Sequence, residues 1–199
     1  SAFEVTDGRY ASSTLGFKGD YSRPMPASGR LKAGFDYQQT EDDSDDAVLT
    51  GPTAGSVVVD PARSHRVVFD ETVLSGYLTY ERPFGDLTVL GGLRMESAEN
   101  EINLLTTGLT TRHRYDRVYP SLHLDYRLSD TSRLKASYAL RIRRPSAQDL
   151  DPWLMYVDAF NYRQGNPNLE PSETSSWEAS YEYRKGRNYY LTTAFWRET

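Results

Sequence analysis

The sequence predicts an all-β chain, an antiparallel up-and-down meander of about eight strands that forms part of a transmembrane β-barrel. Three observations predict it. Apolar and polar residues alternate over stretches of about ten residues, the length a tilted strand needs to cross a bilayer. Short turns and long connections alternate along the chain. Aromatic side chains gather near strand ends, where a membrane interface favours an apolar ring with a polar tip.

The first strand is expected over 13–22, with Leu15, Phe17 and Tyr21 on one face and Lys18 and Asp20 on the other. A Pro- and Gly-rich turn over 24–29 leads into the second, over 30–39. There Leu31, Ala33, Phe35 and Tyr37 oppose Lys32, Asp36 and Gln38. The third strand, over 72–82, carries Leu74, Leu78 and Tyr80 on one face, and Pro83-Phe84-Gly85-Asp86 turns it. The fourth carries Leu87, Val89, Gly91, Leu93 and Met95. The fifth and sixth are the clearest pair: 117–128 alternates throughout, Ser129 to Ser132 turns, and Leu134, Ala136, Tyr138, Leu140 and Ile142 follow at period two. The seventh, over 175–184, shows Trp177, Ala179, Tyr181 and Tyr183. After Lys185-Gly186-Arg187-Asn188 the eighth is expected to turn Tyr189, Leu191 and Phe195 to its apolar side.

The connections separate a barrel from a sandwich. Long loops are expected over 40–71, 97–116 and 144–174, each between hairpins closed by Gly, Asp, Asn or Pro. An outer-membrane barrel has short periplasmic turns at one end and long extracellular loops at the other. Its lumen would then hold Lys18, Asp20, Lys32, Asp36, His123, Asp125, Arg127, Lys135, Arg141, Arg143, Glu178, Glu182 and Arg184. The same pattern would suit a soluble sheet with one face in water.

Composition agrees with this class and excludes others. The 199 residues carry a net charge of -5, which gives no footprint for nucleic acid. Mean hydropathy is -0.67, and a barrel tolerates this because half of each strand faces a polar lumen. The chain has 15 Tyr, 7 Phe and 3 Trp, and no cysteine, so no disulfide framework or thiolate site is open to it. Ser1 to Val5 has neither a basic nor an apolar leader segment, and 191–199 stops within a strand-like pattern, as a piece of a longer protein would.

One stretch is more specific. Arg141-Ile142-Arg143-Arg144-Pro145 is followed by Leu150-Asp151-Pro152-Trp153 and then by Gly165-Asn166-Pro167-Asn168-Leu169-Glu170-Pro171. This resembles the barrel of TonB-dependent outer-membrane receptors, where a strand ends near Arg-Arg-Pro and a loop runs through Leu-x-Pro-aromatic to Gly-Asn-Pro-x-Leu-x-Pro-Glu. Ser172 displaces the last Glu to Glu173. The resemblance implies a barrel of about 22 strands around a plug. Residues 1–199 would then be one partial barrel domain with no plug domain present and without the terminal aromatic residue such barrels carry. It also implies partners: outer-membrane lipid, a small nutrient ligand, and a TonB energy-transducing complex acting through the plug.

Candidate ligand contacts follow from chemistry. Arg141, Arg143 and Arg144 crowd one strand end, and guanidinium groups recognise carboxylates or phosphates bidentately. They could equally pair with lumen acids or a plug. Trp153, Tyr156, Phe160 and Tyr162 cluster with Asp158, Asn161, Arg163 and Gln164 in the third long loop, a set able to grip a sugar or an aromatic chelator, or to pack the loop. The Gly165 to Pro171 run reads as a structural element that steers the loop back into a strand. The acidic run 41–46 lacks calcium-loop spacing and reads as a solvated loop. His65, His113 and His123 lie far apart, the first two in expected loops, and no hydrolase or phosphate-loop motif occurs. No cofactor is expected, and the chain is not expected to be an enzyme. The reading is a receptor for active uptake of an iron–siderophore complex, a corrinoid or an oligosaccharide. The alternative is a small self-contained barrel with an adhesive or structural role, and a barrel-borne hydrolase is the weakest option.

Overall fold

The computed structural model describes residues 3–156 and 160–199. Its elements are β1 (Phe3–Met25), β2 (Gly29–Gly51), β3 (Val58–Val59), β4 (His65–Phe84), β5 (Leu87–Leu104), β6 (Leu109–Ser129), β7 (Ser132–Arg143), α1 (Ala147–Leu150), β8 (Met155–Tyr156), β9 (Tyr162–Arg163), β10 (Ser172–Lys185) and β11 (Asn188–Glu198). The long strands form one antiparallel meander in the order β1-β2-β4-β5-β6-β7-β10-β11, so every neighbour in the sheet is a neighbour in sequence. β3 adds to β2, and β8 pairs with β9 as a separate small hairpin. β1 and β11 are the two edges and do not pair with each other.

All eight expected strands and four expected turns are present. Gly85 and Gly186 take the left-handed conformation their tight turns demand (φ 62° and 59°). The expected loop lengths need correction. β1 and β2 each run 23 residues, so the connection expected over 40–71 shrinks to 52–64 around the short β3. The one expected over 97–116 shrinks to 105–108. Above the apolar zone the outer face turns polar, both faces do so on most of β2 and β6, and on β4 and β5 the apolar residues Val67, Phe69, Ile102 and Leu104 move to the inner face. The contrast that marks a strand in sequence vanishes while the backbone ladder continues. The acidic run is therefore strand rather than loop. Asp43 points outward to Arg66 at 2.7 Å, while Asp42 accepts a hydrogen bond from Tyr10 at 3.0 Å on the other face. His65 and His113 likewise lie in β4 and β6.

The two faces of the sheet differ sharply. One carries continuous cross-strand rows such as Gly19–Phe35–Gly76–Met95–Val118 and Leu122–Tyr138–Trp177–Trp196. Its large residues stay exposed in the isolated chain, with Phe35 at 52%, Met95 at 59% and Trp196 at 68%. An uninterrupted apolar band of this kind is a surface made for lipid. Among the described residues no helix is long and apolar enough to cross a membrane.

The opposite, inner face holds the expected lumen charges on β1, β2, β6 and β10, with Lys18 opposite Asp36 and Glu182 bonded to Lys135 at 2.6 Å. Tyr77 reaches across Gly34 to donate a hydrogen bond to Asp20, and a Cβ on Gly34 would occupy that path.

The eighth strand needs a correction too. The turn pairs Lys185 with Asn188, so Tyr183 faces Tyr190 and Trp177 faces Trp196. Tyr190, Thr192, Ala194 and Trp196 therefore lie on the lipid side. Tyr189, Leu191 and Phe195, expected there, sit opposite Arg184, Glu182 and Glu178 on the inner side. β11 is apolar on both faces, and apolarity alone could not choose its register.

Candidate functional site

The buried core of the chain lies where the third long loop folds back onto the inner face. Val67 and Phe69 of β4 and Ile102 and Leu104 of β5 form a small apolar wall, and Leu150 of α1 presses into it at 1% exposure. Ala147 and Trp153 complete the cluster. A second cluster, Val73, Ala98 and Tyr115, is capped by Ile142. That contact marks where β7 leaves β6, because their pairing stops at Ser121 and Ala139.

α1 is a single turn, yet it is fully capped. Ser146 accepts from the Asp149 amide, and the Asp149 carboxylate accepts from the Ser146 amide and hydroxyl at 3.0 and 2.7 Å. This capping box satisfies helix-end donors at the exposed start of the turn, while Leu150 at its other end is buried. The Ser146 hydroxyl and then its backbone amide hold the Asp149 carboxyl below its ordinary range. A depressed carboxyl stabilises the folded loop above the ordinary aspartate pKa and loses that contribution as pH falls. Ser146→Ala is expected to weaken docking by about 1 kcal/mol, read as faster proteolytic nicking within 144–171 on an unchanged barrel.

Past α1, Asp151 is 4% exposed and accepts from His65 Nε2 at 3.1 Å and from the Trp153 amide at 2.9 Å. The Trp153 ring stacks on His65 with centroids 5.4 Å apart and planes 12° from parallel. The Gly165 to Pro171 segment then returns along the loop. Gly165 N donates to Asp151 O at 2.7 Å and Asn166 N to Asp149 O at 2.8 Å. A Cβ on Gly165 would lie 2.6, 2.7 and 2.8 Å from three backbone atoms of Asp149 and Asp151. Only glycine lets the two chain segments approach this closely. His113 of β6 donates to the Pro167 carbonyl at 2.7 Å. The structural reading of this motif is thereby given a geometry: it clasps the end of α1.

The expected contact residues divide. Arg144 donates to Glu96, whose side chain is 2% exposed and also accepts from Arg94 at 3.3 Å, and it lies 3.9 Å from Glu71. Burial raises the Glu71 pKa against the opposing pull of Arg144. Arg141 and Arg143 stay exposed on β7 without an ion pair among the described residues, so the three arginines do not converge. Trp153 packs the loop, Gln164 donates to Pro152 O at 2.8 Å, and Arg163 bonds Gln148 at 3.2 Å and pairs with Asp149 at 3.6 Å. These hold the loop together.

Tyr156 and Tyr162 face each other on β8 and β9, 54% and 68% exposed, with Asn161 and the 95%-exposed Phe160 leading into β9. The Arg63 guanidinium stands 5.7 Å over the Tyr156 ring while bonded to Glu4 at 2.7 and 2.8 Å. Asp158 lies outside the described residues.

Reasoning from sequence missed His65, Asp151, Leu150, His113, Glu96 and Arg63. The Leu-x-Pro resemblance did mark 150–152, but nothing local joins residues as distant as His65 and Asp151. A separate hollow of about 520 Å³ near the turns is lined by Lys135, Glu182, Tyr189 and Leu191. Its Arg133 and Lys135 already pair with Asp125 and Glu182.

The model of the outer membrane protein beta-barrel family matches residues 4–199. Among solved structures the chain is similar to the ferric citrate transporter FecA, with 19% identity, a TM-score of 0.70 and coverage of 98% of this chain and 28% of that one. The ferric yersiniabactin uptake receptor FyuA from Yersinia pestis gives 14%, 0.65, and coverage of 99% and 30%. The copper transporter OprC gives 15%, 0.72, and 96% and 30%. At these identities the likeness is one of fold, and the chain spans less than a third of each structure's length. No curated protein sequence matches the chain.

Proposed function

The chain belongs to the outer membrane protein beta-barrel family, which places it in the bacterial outer membrane, and from that premise we propose that it forms part of a receptor for active uptake of a scarce nutrient. The observation that carries the reading is the loop docked on the inner wall. It presents Tyr156, Phe160 and Tyr162 as exposed aromatics, with Arg63 over the Tyr156 ring, while its body is fastened inside. A surface of rings and hydrogen-bonding groups held on a rigid base suits capture of a compact amphipathic ligand. Structures of the same fold include a ferric citrate transporter, a ferric yersiniabactin uptake receptor and a copper transporter, which favours a metal or metal complex over a corrinoid or an oligosaccharide.

On this reading residues 1–199 are a partial barrel domain. A plug elsewhere in the full protein couples to the TonB energy-transducing complex, lipid surrounds the apolar band, and the mechanism is binding and gated passage. The contact set is Tyr156, Asp158, Asn161 and Tyr162, with Arg141 and Arg143 of β7 as cations outside any ion pair among the described residues. Arg144, Trp153, Arg163 and Gln164 serve by holding the loop. The test is energy-dependent accumulation of radiolabelled ferric and cupric chelates, a labelled corrinoid and labelled oligosaccharides by cells with and without the full-length gene. Accumulation that needs the gene and collapses with an uncoupler supports the reading. Equal accumulation of every compound by both strains, with the protein present in the outer membrane, would sink it.

A further inference from the structure

We propose that Gly165 and His65 are positioning residues: they clasp the two docked arms, 144–153 and 164–171, to the inner wall so that the β8–β9 hairpin projects from one fixed place. The inference rests on the receptor reading only for what the hairpin then does.

Four attachments act on the arms, besides the pairing of Arg144 with Glu96. Leu150 is buried against Val67, Phe69, Ile102 and Leu104, which is burial of a whole leucine side chain. The buried Asp151 carboxylate takes its bonds from His65 of β4 and from the Trp153 amide, so removing His65 leaves a buried acceptor short of a partner. Gly165 lies so close to Asp149 and Asp151 that any side chain must push the returning arm away from α1. His113 fixes the far end of that arm at Pro167.

β8 and β9 have only two residues each and pair only with each other, so no strand ladder ties them to the large sheet, and Arg63 over the Tyr156 ring is a side-chain contact to one strand of the hairpin. Their position is therefore set chiefly by the arms from which they spring. The exposed Tyr156 and Tyr162 inherit whatever order the clasp supplies. A short hairpin of this kind is marginal alone in water.

The test uses the full-length receptor in the outer membrane. Spin labels are placed at Tyr162→Cys on the hairpin and Thr131→Cys in the β6–β7 turn, and their distance distribution is measured with and without Gly165→Val or His65→Ala. In parallel, Ala147→Cys and Gln148→Cys are labelled on intact cells with a membrane-impermeant maleimide. The native segment has no cysteine to confuse the signal. The expected result is a narrow distance distribution, and labelling of position 147 slower than that of exposed 148 by about tenfold or more. Each clasp substitution should broaden the distribution and bring position 147 to the rate of 148, with the barrel's heat-modified gel mobility unchanged.

A distribution that stays narrow in both variants, or equal labelling of 147 and 148 in the parent, would overturn the proposal. Loss of the folded barrel in either variant would also overturn it, since the residues would then serve the whole fold. None of these readouts uses a ligand. A receptor that takes up no tested nutrient but shows an intact clasp would defeat the functional reading alone.

Discussion

Arg144→Ala is expected to destabilise the docked loop by about 3 kcal/mol, the low end for breaking a buried ion pair. The Glu96 side chain is 2% exposed and would keep its charge with only Arg94 at 3.3 Å beside it. Glu71 stands in the same group, and Arg144 is the cation beside it, so it too would lose its counter-charge. The cost stays near the lower end because the Arg144 side chain is itself a quarter exposed and Arg94 survives. The check is urea titration of the receptor in lipid vesicles, together with protease protection of 144–171. A partner substitution tells charge from packing. With Glu96→Leu added to Arg144→Met, the buried charge disappears and most of the loss should be recovered. No recovery in the double variant would mean that the ion pair is not what Arg144 supplies.

How much of this was legible beforehand depended on where a residue lies along its strand. Between Leu74 and Phe84, or Val118 and Leu128, one face meets lipid and the other water, and that contrast is written into the residues. Above it, Thr40 to Gly51 and Leu109 to Asp116 keep their ladders with polar groups on both sides, so nothing in their periodicity announces a strand. The candidate site was legible by place and less so by role. The loop containing Trp153, Tyr156 and Tyr162 was identified, and the Gly165 motif was assigned a structural task. Which aromatics stay exposed depends on His65, Phe69 and Ile102. These come from strands far away in sequence, and only the fold brings them under the loop.

In β11, apolarity and strand pairing point opposite ways. Apolarity alone sends Leu191 to lipid, whereas the pairing of Tyr183 with Tyr190 sends Leu191 inward and Thr192 and Ala194 outward. Ala194 sits in the row Val89–Leu124–Ala136–Ala179–Ala194. Trp177 and Trp196 lie on one side of that row and Tyr181 on the other, away from both interfaces. An arginine there must carry its charge into hydrocarbon, at about 2–4 kcal/mol. Ala194→Arg should therefore lower the urea midpoint of the vesicle-embedded receptor and reduce its assembly in cells. Leu191→Arg, on the inner face directly opposite Glu182, gains an acidic neighbour and should change stability by no more than about 0.5 kcal/mol. If Leu191→Arg proves the damaging change and Ala194→Arg the harmless one, the turn at Gly186 has been placed one residue out of register, and every inner and outer assignment on β11 reverses with it.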